Sequence, residues 1–142
     1  DSGADLAIGY DNLKENLKEI SNGNGIDVIF DPVGGDTFDT IARTMARKGR
    51  LLVIGFASGS IPKLAVNLAL VKEFSVVGVF WGAWTAMFPK ENQENFEELF
   101  ELLEAGKINP RIKDKFKLED SAKAIAHLAE RKATGKVIVE IA

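Results

Sequence analysis

Three runs rich in β-branched and other apolar residues, IDVIF (26–30), RLLVIG (50–55) and FSVVGVF (74–80), lead without pause into short segments of glycine, small and aromatic residues. They are continuous rather than alternating, the pattern of parallel strands buried on both faces. Between them the period changes from strand to helix. DNLKENLKEIS (11–21) puts Leu13, Leu17 and Ile20 on one face with Asp11 as the expected cap. DTFDTIARTMARKG (36–49) aligns Phe38, Ile41, Ala42 and Met45 on one stripe, with Gly49 where a C-cap belongs. NLALVKE (67–73) reads as a short apolar helix, Leu6–Gly9 as one more short strand, and NGNG (22–25) as a turn. Strands alternating with helices in this way define an α/β, doubly wound fold with a parallel sheet.

From Pro89 the character changes. NFEELFELLEAGKI is amphipathic, with Phe96, Leu99, Phe100 and Leu103 inward, and is expected to end at Gly106. RIKDKFKL alternates as a half-exposed strand, EDSAKAIAHLAERK carries acids at its start and bases at its end as a helix does, and KVIVEI closes as a strand. Residues 1–88 are therefore expected to form one part and 89–142 another layer.

With 142 residues, 46% hydrophobic content and a net charge of −3, the chain can bury one sizeable core. No run approaches the roughly 20 apolar residues of a membrane span, and the N-terminus lacks a leader pattern, so a cytoplasmic protein is expected. The absence of cysteine and the single histidine, His127, leave no disulfide and no cysteine–histidine metal site to expect. Scattered lysines on a slightly acidic chain argue against nucleic acid. The first residue is Asp1, close to a strand already under way, and an upstream segment is expected.

In an open parallel sheet ligands bind beyond the carboxyl ends of the strands, where backbone must come close. Gly34 and Gly35 sit at one such end, Gly55, Phe56, Ala57, Ser58 and Gly59 at the next, and VFWGAW at the third. Together they would floor a site for a flat, extended ligand. Glycine after a strand is also ordinary turn punctuation, and the residues alone leave both readings open. No G-x-G-x-x-G follows a strand here, since GNGIDV precedes one, so a pyrophosphate-binding first turn is absent from this chain.

The segments GADLAIGY, GIDVIFDPVGGDTFDTIARTMARKGRLLVIGFASGSIP, NLALVKEFSVVGVFWGAW and ATGKVIVEI resemble the C-terminal part of the medium-chain dehydrogenase/reductase superfamily, in its NADPH:quinone oxidoreductase group, which is alcohol dehydrogenase-like. The resemblance implies a partial Rossmann sheet of the last four strands, followed by a return segment to a catalytic domain that is not in this chain. It implies hydride transfer from NADPH to a quinone or other activated carbonyl in the full-length protein, in a group that usually works without catalytic zinc. Val33 and Gly34 resemble the turn against the cofactor's diphosphate and ribose, Gly55, Phe56 and Ser58 the strand end near the nicotinamide, and Phe80, Trp81 and Gly82 the segment that meets the carboxamide. Tyr10 resembles a tyrosine near the adenosine 2′-phosphate, which points to NADPH, although a surface aromatic capping a strand is an equal reading. Lys136 resembles a position near the cofactor, set against a solvated strand end. A homodimer through Ser75 to Phe80 is also implied. If Gly34 and Gly55 admit a cofactor, a Cβ at either should harm binding more than folding.

No residue is expected to act as a general acid or other catalytic group. His127 lies on a helix face and is expected to be structural. Asp31 is expected to fix the Pro-Val-Gly-Gly turn by accepting backbone hydrogen bonds, and Asp36 to sit at a helix N-terminus. Trp81 and Trp84 would line the nicotinamide pocket or pack under the next helix. Two other classes remain beside the oxidoreductase: a non-enzymatic nucleotide-binding or structural module, and a methyltransferase-like sheet with an adenosyl ligand at the DPVGG turn.

Overall fold

The computed structural model describes residues 3–141. The chain forms two compact units, Asp1–Trp84 and Thr85–Ala142.

In the first unit helix α1 (Leu13–Ile20) precedes strand β1 (Ile26–Asp31), helix α2 (Thr37–Thr44), strand β2 (Met45–Val53), helix α3 (Asn67–Lys72) and strand β3 (Ser75–Gly78). The three strands form one parallel sheet in the order β1-β2-β3. Ile29, Leu51 and Val76 stand in register, as do Phe30, Leu52 and Val77 on the opposite face. Ile29 and Leu51 of the first row meet the core, in which Leu51 and Ala42 are fully buried beside Phe38, Met45 and Phe74, with Ile29, Ile41, Leu64, Leu68 and Ala69 packed around them. Burying side chains of this size stabilises by about 1.5–3 kcal/mol each.

Burial on both faces does not hold for the described residues. Phe30 is 66% exposed, and Val28 and Val77 are exposed beside it. The helices that pack on this sheet cover the Ile29–Leu51 face, which leaves the Phe30–Leu52–Val77 row without a covering layer in this unit.

Three local expectations are corrected. Residues 6–9 form no strand. A strand is held by its neighbours' backbone groups, and residues 6–9 pair with none of the three strands even though the outer edge of β1 is unpaired among the described residues, so an apolar run does not by itself make a strand. Helix α2 stops at Thr44 rather than continuing to Gly49, although Met45 keeps the helical stripe. Lys48 takes a left-handed φ of 62° with its N–H on Glu73 O at 3.0 Å, and a Cβ on Gly49 would lie 2.9 Å from Asp27 O. Gly49 therefore lets β2 bulge past β1, where the register shifts between Ile26 and Val28. Asp11 does not cap α1: Asn12 holds the N-cap position in a left-handed conformation, and no side chain caps the helix.

Helix α4 (Trp81–Met87) follows β3, a helix the aromatic run VFWGAW did not suggest, and the division between the units falls within it. The second unit continues with α5 (Pro89–Glu104), strand β4 (Ile112–Lys117), a 3-10 turn (Leu118–Asp120), helix α6 (Ser121–Ala129) and strand β5 (Lys136–Glu140). Gly106 follows α5 with a φ of 67°, which suits the residue just past a helix end. β4 and β5 form a parallel pair, bridged by Lys115 Nζ and Glu140 Oε1 at 2.8 Å. That hydrogen bond raises the Lys115 pKa above its ordinary value. His127 Nε2 lies 3.2 Å from Asp114 Oδ2, and its ring is 5.8 Å from that of Phe116, so it ties α6 to β4.

Candidate functional site at the strand ends

β1 leaves the sheet at Asp31, one of the two buried polar residues of the described chain, 6% exposed. Its Oδ1 accepts hydrogen bonds from Val33 N at 3.0 Å and Gly34 N at 2.9 Å. The turn is thus fixed by the acid that precedes it, the role the sequence assigns to Asp31. Asp36 stands at the N-cap of α2, where an anion faces the helix dipole, without a side-chain hydrogen bond.

The loop leaving β2 is laced to that turn. Ile54 N donates to Asp31 O at 3.0 Å, Ala57 N to Pro32 O at 3.1 Å, Ser58 N to Val33 O at 3.0 Å, and Gly35 N returns to Ser60 O at 3.1 Å. Val33, Gly34, Gly55, Phe56 and Ser58 are consequently brought together on one surface. The Ser58 hydroxyl is engaged within its loop, accepting from Ser60 N at 3.2 Å. From β3 the chain continues through Val79, whose N–H donates to Val53 O at 3.0 Å, and then presents Phe80 and Trp81, both exposed, with Gly82.

The two glycines on this surface answer to different constraints. Gly34 has a φ of +63°, and a Cβ on it would stand 2.9 Å from Phe56 Cδ1 and 3.2 Å from Ser60 O. Its own loop excludes a side chain there. Around Gly55 only Pro32 O comes within reach of a Cβ, at 3.4 Å, an ordinary contact. The Phe56–Gly34 contact joins residues 22 apart, and no local pattern in the sequence announces it.

Tyr10, exposed itself, shares a cleft of about 280 Å³ with Ile29, Asp31, Val33 and Thr37, so it stands with the β1 exit. Lys136 belongs to the second unit, where it opens β5 with its N–H on Arg111 O at 2.7 Å. The carboxyl of Asp39, on α2, is held below its ordinary pKa by its hydrogen bond to Arg43, an exposed pair on the helix surface.

An open parallel sheet whose glycine-bearing strand ends are bound into a single floor is the arrangement of α/β nucleotide-binding proteins. The sequence matches the zinc-binding dehydrogenase family over residues 2–139, and the chain belongs to that family. It is 37% identical over 96% of its length to quinone oxidoreductase-like protein 2 homolog of Nematostella vectensis, and 34% identical over 99% to quinone oxidoreductase-like protein 2 of Bos taurus. It spans only 38% and 41% of those two proteins. Among solved structures, quinone oxidoreductase of Escherichia coli complexed with NADPH matches 97% of the chain at a TM-score of 0.85 and 27% identity, the chain covering 44% of it. A mycobacterial protein complexed with NADPH matches 98% at a TM-score of 0.84 and 25% identity.

The metal in the family's description has no ligand set here: among the described residues no three His, Cys, Asp or Glu side chains converge. No helix among the described residues is long and apolar enough to cross a membrane.

Proposed function

We propose that this chain is the C-terminal, cofactor-bearing part of an NADPH-dependent quinone oxidoreductase-like enzyme. Residues 1–88 would belong to its nucleotide-binding domain, and residues 89–142 would lead back to a catalytic domain. The observation that carries the reading is the laced exit of β1 and β2, which gathers Val33, Gly34, Gly55, Phe56 and Ser58 in a chain that superposes on an NADPH complex. A Cβ on Gly55 would meet only Pro32 O, at an ordinary contact distance, so a flat ring could lie against the backbone there. Phe80, Trp81 and Gly82 would meet the ring's carboxamide from the neighbouring exit, and Lys136 is proposed as a cofactor-binding residue on its resemblance alone. Tyr10, which lines the same cleft as Val33, would contact the adenosine 2′-phosphate.

The cofactor supplies the hydride, passed to a quinone or other activated carbonyl. This chain's residues hold and orient it and limit water at the reacting face. We assign no general acid or base to it. Exposed at the outer edge of the sheet, β3 would join a second copy through Ser75 to Phe80.

Titration of the full-length protein with NADPH and NADH, alongside quinone-dependent oxidation of both, tests the reading. Saturable binding with NADPH preferred is expected, and Tyr10→Ala should narrow that preference. Binding of neither dinucleotide would overturn the assignment.

A further inference from the structure

Both Asn-Gly pairs of the sequence, Asn22-Gly23 and Asn24-Gly25, fall in the turn between α1 and β1, and both asparagines are exposed. In an Asn-Gly pair the backbone nitrogen reaches the preceding side-chain amide with least hindrance, because glycine has no Cβ to obstruct the approach. The structure treats the two pairs differently. Asn22 takes a left-handed φ of 50° just past α1. Its N–H donates to Glu19 O at 2.9 Å and Gly23 N donates to Lys18 O at 2.8 Å, the pairing of a Schellman cap. The nitrogen of Gly23 is therefore held by helix backbone. Gly25 N instead donates to the Ser21 hydroxyl at 3.2 Å. That hydroxyl donates in turn to Lys18 O at 3.2 Å, and rotation about a single side-chain bond withdraws it from Gly25.

We propose that Asn24 is a site of spontaneous deamidation, with water as the co-reactant, and that the helix cap protects Asn22. Once the Ser21 hydroxyl has turned aside, Gly25 N loses its proton to hydroxide and attacks Asn24 Cγ. The N–Cγ bond forms, the bond from Cγ to the side-chain nitrogen breaks, and ammonia leaves with a proton taken from water. A second water opens the cyclic imide at either carbonyl and leaves aspartate or isoaspartate. Overall an amide and water become a carboxylate and ammonium, with no change of oxidation state.

The two products differ in their consequences. Aspartate adds a negative charge to an exposed side chain. Isoaspartate adds a methylene to the main chain immediately before Gly25, where even a Cβ would stand 2.7 Å from Ala46 N and 2.8 Å from Thr44 O. Backbone packed this closely does not absorb the added length, and the pairing of Ile26 with Met45 that opens β1 is displaced.

The full-length protein, held at mildly alkaline pH and body temperature, carries the test. Trypsin cuts after Lys18 and Arg43 and releases both pairs in one peptide, whose fragment-ion masses place the conversion. Asn24 should convert about tenfold faster than Asn22 or more, since reaction at Asn22 must first break a cap hydrogen bond. Ser21→Ala should speed conversion at Asn24 about threefold to tenfold. Faster reaction at Asn22, equal rates at the two sites, or no conversion in the folded protein while the urea-unfolded protein converts, overturns the proposal. A folded Ser21→Ala variant that converts Asn24 at the unaltered rate overturns it as well. If that variant does not fold, the comparison of the two sites in the unaltered protein decides. The isoaspartate form, separated by chromatography, should melt several degrees below the unaged protein, and Asn24→Asp within a few degrees of it. An isoaspartate form that melts together with Asn24→Asp would refute the displacement of β1.

Discussion

Gly34 and Gly55 look alike in the sequence, each just past a buried strand, and the structure sets them apart. At Gly34 a side chain meets a positive φ, the ring of Phe56 and the backbone oxygen of Ser60 together, and that oxygen is held in place by the Gly35 N–H. Glycine's freedom at positive φ is worth about 1 kcal/mol and overpacking adds about 1–3, so Gly34→Val should lower stability by roughly 2–4 kcal/mol. That outcome departs from the expectation that both glycines serve the cofactor before the fold. Gly55→Ala adds its methyl against a single carbonyl at an ordinary distance. It should leave the melting temperature within a few degrees and weaken NADPH binding severalfold in the full-length protein. Thermal melts with and without NADPH read both effects. A Gly55→Ala variant that melts early and binds normally would make this glycine a turn residue and nothing more.

At the scale of elements, what the sequence announces is what local chemistry decides. The helices α1, α2 and α5 and the apolar runs of β1, β2 and β3 were legible as elements because each is written in consecutive residues, but the α5 stripe Phe96, Leu99, Phe100 and Leu103, expected inward, is exposed, because no element among the described residues covers it. The end of α2 was not, because Met45 continues the helical stripe and the decision lies in the approach of Gly49 to Asp27, on another strand. The Leu6–Gly9 segment reads as a strand and forms none, since pairing depends on a neighbour that its own residues cannot supply. At the site, Asp31 was legible through its place before a Pro-Val-Gly-Gly turn, whereas the Phe56–Gly34 contact is a long-range event. β3 tests whether an edge can be read from composition. All four of its residues are exposed, among the described residues it is bonded only to β2, and from Ser75 to Phe80 it carries no lysine or proline to discourage a further strand. A twofold contact through this edge would satisfy both copies at once. Val77→Lys should therefore shift the protein from dimer to monomer in light scattering on a sizing column at micromolar concentration. A monomeric wild type, or a dimer indifferent to the lysine, would refute the proposed seam.

For the molecule as a whole, the decisive question is where the donors for a dinucleotide's diphosphate would come from. An α/β nucleotide site ordinarily takes them from a glycine-rich turn and the helix N-terminus behind it, and this sequence contains no such turn after a strand. The β1 exit cannot substitute, since Val33, Gly34 and Gly35 have committed their N–H groups to Asp31 and Ser60. Two missing hydrogen bonds to a charged group cost about 1.5–3 kcal/mol each, which weakens binding by roughly 10²–10⁴-fold. The open side of β1 compounds the loss, because the apolar Phe30 row and a strand edge unpaired among the described residues lie exposed in the same unit. Residues 1–142 expressed alone should accordingly bind NADPH no more tightly than the millimolar range and reduce no quinone, whereas under the proposed function the full-length protein should do both. Calorimetric titration and an NADPH-oxidation assay on the two proteins side by side decide the matter. Micromolar affinity in the 142-residue chain would mean that these strand ends hold the diphosphate after all, through donors that the bonding of the β1 turn does not leave free.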